Sequence, residues 1–68
     1  MMTVQEALAV ARQYHDAGRL EEARQLCQQI LQVAPAHAET AHLLGLVAYE
    51  EGNRPLAAEY LQRAIALD

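Results

Sequence analysis

The run GRLEEA, residues 18–23, is answered 34 positions later by GNRPLA, residues 52–57. Each opens on a glycine and reaches an alanine five positions on. The flanking chain keeps the same register, Ala7 returning as Ala41 and Gln28 as Gln62. A fixed period of roughly 20 to 50 residues is the mark of a stacked repeat array, whose units cannot bury their apolar faces alone and lean on one another. The chain therefore reads as two copies of one unit.

Working outward from the glycines, Ala7, Val10, Ala11 and Tyr14 fall at i, i+3, i+4 and i+7, the spacing of one helical stripe. Ala41, Leu44, Gly45 and Ala48 repeat it. Thr3 and Glu6 form a capping box that starts the first helix near Val4, and Gly18 supplies the left-handed backbone that ends it. The second helix, about 20–34, opens on Glu21 and Glu22, where the helix dipole favours carboxylates, and is closed by Pro35. The third covers about 38–51. Pro55 sits in the first turn of the fourth, where its missing donor costs little. Loops of a few residues make neighbouring helices antiparallel. The expectation is an all-α fold of two antiparallel helix-turn-helix repeats, at about 4–37 and 38–68, within a single domain spanning 1–68.

At 68 residues such a chain buries only about 60% of the surface it exposes when unfolded. One cysteine, Cys27, cannot close an internal bridge. A reducing, cytoplasmic setting fits. The net charge of −4, with no lysine and five scattered arginines, disfavours nucleic acid and anionic membrane, both of which require clustered cations. Residues 1–6 lack the basic and apolar regions of a leader, and no apolar run approaches the roughly 20 residues that span a bilayer.

Catalytic and metal chemistry find little support in the residues. Cys27 lies on the apolar stripe with Ala23, Ile30 and Leu31, where a free cysteine packs as a small hydrophobe. Serine is absent. His37 and His42 are five apart and fall on different helix faces, whereas zinc ligands on one helix want i, i+4. No acid–base pair converges, so the reading is a non-enzyme with no cofactor and no metal.

With the period and the slots in hand, nearly the whole chain resembles the tetratricopeptide repeats, 34-residue units patterned W-x2-L-G-x2-Y, then A-x3-F, then an alanine and a proline. Unit one fills these slots with Ala7, Val10, Ala11, Tyr14, Ala23, Cys27, Ile30 and Pro35. Unit two uses Ala41, Leu44, Gly45, Ala48, Ala57, Leu61 and Ala64. Ala48 stands where the family has tyrosine, and Ile30 is large where the family keeps a small residue. The resemblance implies a short right-handed α-solenoid, of bacterial type by its arginine-only, alanine-rich composition, that presents a concave groove to a protein or peptide. Groove-lining positions carried over from the family are Gln5, Leu8, Arg12, His15 and Asp16, then Glu39, His42, Leu46, Tyr49 and Glu50. Only Arg12 is basic among them, which rejects the carboxylate clamp of chaperone-binding relatives. Alternatives are a substrate-presenting N-terminal segment of a larger enzyme such as a glycosyltransferase or sulfotransferase, and a small self-assembling structural protein.

The last helix is more apolar than an array end should be. Nine of twelve residues across 56–67 are apolar, against six of twelve across the equivalent 22–33. An end helix needs a polar outer face. Leu61 and Ile65 are expected to lie on the stripe that would receive a further repeat, to face water, and to form a homodimer through the last helix.

Overall fold

The computed structural model describes residues 2–67 as four helices: α1 (Val4–Asp16), α2 (Leu20–Val33), α3 (Ala38–Glu50) and α4 (Arg54–Leu67). Among the described residues there is no strand. α1 pairs with α2 and α3 with α4, and the two pairs stack chiefly through α2 against α3, with a lighter contact between α1 and α3. This is the helix-turn-helix solenoid expected from the repeat. The interior is one cluster that joins Leu8, Ala11, Ala23, Cys27, Ile30 and Leu31 of the first pair to Leu43, Leu44 and Val47 of the second. Burial therefore crosses the repeat boundary, as quasi-one-dimensional stacking requires.

Each element ends for a local reason. The Thr3 hydroxyl accepts from the Glu6 amide at 3.1 Å while the Thr3 amide donates to the Glu6 carboxylate at 2.9 Å. That amide, with help from the hydroxyl, holds the Glu6 carboxyl below its ordinary range. At the other end of α1 the Arg19 amide donates to the Tyr14 carbonyl and the Gly18 amide to that of His15, at 2.8 and 3.1 Å. The same two bonds recur at Asn53 to Ala48 and Gly52 to Tyr49. This double closure needs a left-handed residue. Gly18 and Gly52 supply it, with φ of 77° and 84°. Asn53 then caps α4, its side-chain oxygen accepting from the Leu56 amide at 3.3 Å.

A methyl group added at either glycine would meet nothing within 4 Å. The cost of Gly18→Ala or Gly52→Ala is therefore backbone strain alone, about 1 kcal/mol each. Urea midpoints should fall for both variants, and unchanged midpoints would show that the turns do not depend on glycine.

The small residues of the stripes let paired helices approach closely. Ala11 and Ala23 are fully buried in the first pair, and Ala41, Ala48 and Ala57 nearly or fully so in the second. In that second pair Leu61 leans over Gly45 so closely that a Cβ there would lie 2.7 Å from two of its side-chain carbons. Leu61 is thus half-buried against α3 and not the water-facing residue expected from its stripe. The void left by a glycine on α3 draws the leucine inward.

Candidate binding groove

α1 and α3 run side by side along the repeat stack, and polar groups on their shared face pair across the gap. The Arg12 guanidinium donates to the Glu39 carboxylate at 3.2 Å. The His15 Nε2 meets the Glu50 carboxylate, and its Nδ1 lies 3.8 Å from that of Asp16. Nearer the start of both helices the Gln5 amide nitrogen approaches His37 Nε2 at 3.4 Å. These contacts between α1 and the second repeat join residues 27 to 35 positions apart. Exposed ion pairs of this kind contribute little to stability individually, and the relative placement of α1 and α3 rests on the core that joins the two repeats.

Of the ten groove positions expected from the sequence, nine face solvent wholly or in part, and Leu8 does not. Leu8 is 2% exposed and belongs to the core with Leu43, Leu44 and Val47. The correction has a simple cause: the second repeat lies over the first and covers it. Its 34-residue counterpart His42 has no such cover and is exposed. What remains is a shallow cleft of about 230 Å³ bordered by Arg12, His15, Asp16, Glu39, His42, Leu43 and Leu46. Leu46, 37% exposed, stands on its α3 wall, and Tyr49, three residues on and 60% exposed, lies beyond its border. Charge on this face is unequal, with the carboxylates of Asp16, Glu39 and Glu50 against one guanidinium.

Several contributors were not visible in the sequence. His37, which the spacing argues against as a metal ligand, donates or accepts at Thr40 Oγ1 over 2.7 Å and so satisfies the one buried polar side chain among the described residues. Arg24 of α2 reaches the Glu51 carboxylate at 3.0 and 3.4 Å, with both side chains about three-quarters covered. Residue pairs about one repeat apart, near i+27 and i+35, were the available signal.

Cys27 is fully buried, and desolvation pushes its thiol up to about 11, only partly countered by the nearby Arg12 charge. A thiol held protonated cannot serve as a nucleophile near neutral pH. Among the described residues no three His, Cys, Asp or Glu side chains come close enough to hold a metal ion. No helix is long and apolar enough to cross a membrane.

The family model for the tetratricopeptide repeat matches residues 3–68, almost the entire chain. No curated protein matches it.

Proposed function

The chain belongs to the tetratricopeptide repeat family, whose repeats mediate protein–protein interaction, and we propose that this one is a non-catalytic scaffold module whose α1–α3 groove receives a peptide or protein segment. The observation that carries the reading is the placement of Leu46 and Tyr49. Both leave the packed stripes: Leu46 borders the cleft beside Arg12 and His15, and Tyr49 stands exposed three residues further along the same helix. Tyrosine and arginine, here Tyr49 and Arg12, are among the side-chain types enriched at binding hot spots. A helical or extended peptide could place one apolar side chain at Leu46 and Tyr49 and polar groups along Arg12, His15 and Glu50.

The face is a poor host for phosphates, since it carries three carboxylates, one of them paired with its single guanidinium. A protein partner is therefore favoured over nucleic acid or an anionic membrane. The lone buried thiol suits a reducing compartment such as the cytoplasm.

The test begins with a displayed library of random peptides, from which binders are taken to amide-shift mapping on the isotope-labelled chain. Shifts should concentrate on Arg12, His15, Leu46 and Tyr49. Tyr49→Ala should weaken the selected peptide about tenfold, the loss of one hot-spot side chain. Perturbation confined to α2 and α4, or a Tyr49→Ala variant that binds as tightly as the parent, would refute the groove.

A further inference from the structure

The repeat contains its own control for burial. Leu31 on α2 is 8% exposed, whereas Ile65, one period later on α4, is 78% exposed. Leu8 and His42 differ in the same sense. The difference arises because α3 packs over the first helix pair and no element among the described residues packs over the second. The open seat is a cleft of about 340 Å³ with Arg12, Ala38, Glu39, His42, Ala64 and Ile65 around it. It continues onto the outer face of α4, where Ala58, Gln62 and Ile65 are exposed at i, i+4 and i+7. That strip carries no charge. On α2 the equivalent strip includes Arg24, whose guanidinium is held by Glu51.

We infer that a second copy of this chain occupies the seat, with the two α4 helices packed antiparallel about a two-fold axis. The strip is complementary to itself. Reversing one α4 against another about a point between Leu61 and Gln62 sets the small Ala58 opposite the large Ile65 at both ends, so each isoleucine meets a position with room for it. Head-to-tail stacking fits less well. The side of α3 that grips the first repeat is Thr40, Leu43 and Val47, all 5% exposed or less. At the same registers α1 offers Glu6, Ala9 and Gln13. Seating α1 of another copy would bury the Glu6 carboxylate, already engaged with Thr3, and provide no large apolar side chain in return. One end of the stack is therefore polar and the other adhesive, and association closes at two. α4 has 14 residues, a contact about 21 Å long. A helix face about 10 Å wide over that length covers roughly 200 Å², well below the ~800 Å² per partner of a standard interface, so the dimer is weak and reversible. Glu39 and His42 border both this seat and the peptide groove, and pairing narrows the groove at that end.

Sedimentation equilibrium of the full chain from micromolar to millimolar concentration tests this. The mass should rise from 7.5 kDa and level off at twice that value. Ile65→Glu should weaken pairing at least about tenfold with an unchanged helical spectrum and melting curve, because the side chain is exposed within one copy. Adding Ala58→Lys to that variant should restore pairing, since the axis brings position 58 of one copy against position 65 of the other. A wild-type chain that stays monomeric at millimolar concentration, or whose mass grows without limit, would overturn the proposal. So would an Ile65→Glu variant that pairs like wild type, or a double variant that gains nothing over the single one.

Discussion

Gly45→Val is expected to lower folding stability by about 3 kcal/mol or more, enough to leave a large fraction of so small a domain unfolded, since one of this size has only about 3–10 kcal/mol in total. The first atom of any side chain at position 45 would sit 2.7 Å from the Leu61 Cγ and Cδ2, and 3.2 Å from the Leu61 backbone nitrogen. The leucine can rotate away. The backbone nitrogen cannot, and retreating from it means separating α3 from α4 along their whole contact. Glycine is otherwise a poor helix residue, about 1 kcal/mol worse than alanine, so its presence in mid-helix marks a steric requirement. The first repeat meets the same requirement with the sizes exchanged: Ala11 replaces Gly45, and Cys27 replaces Leu61. Gly45→Ala alone should therefore gain helix propensity and lose packing, while Gly45→Ala with Leu61→Cys reproduces the packing of the first pair. A double-mutant cycle on urea midpoints should give a favourable coupling of at least about 1 kcal/mol. Additive effects would show that the two positions do not share one space.

That exchange also indicates what a sequence of this kind discloses. Helix starts and stops were legible because they depend on local chemistry: Thr3 with Glu6, the glycines of the two turns, and prolines at 35 and 55 act on residues within a turn of themselves. The helix ends lie within a residue of those expected from the sequence, at Val33 and Glu50 against about 34 and 51. The paired stacking was legible from the period. What the pattern could not settle was which side chains each repeat covers on its neighbour. The period places Leu8 and His42 at one register, and it treats Leu61 as the equal of Cys27. Burial at these positions is decided by what lies on top, which differs between a first and a second repeat. The same holds for the polar links between repeats. Arg12 to Glu39 and His15 to Glu50 require α1 and α3 to be side by side, a fact of stacking and not of local sequence.

The sharpest consequence of that asymmetry concerns positions 8 and 42. Leu8→Ala is expected to cost about 2–5 kcal/mol, the range for deleting a buried leucine and leaving a cavity that its neighbours only partly fill. His42→Ala, one period later, should stay within about 0.5 kcal/mol of wild type, as exposed substitutions do. A groove-lining leucine would behave like the histidine. Leu8 behaves otherwise because its side chain, 2% exposed, sits among Leu43, Leu44 and Val47 of the second repeat. The loss therefore falls on the contact that holds the two repeats together, not on α1 alone. Urea denaturation followed by helical circular dichroism measures both variants on one scale. If Leu8→Ala left the midpoint where His42→Ala leaves it, Leu8 would be a surface residue and the stacking of α3 over α1 would be wrong.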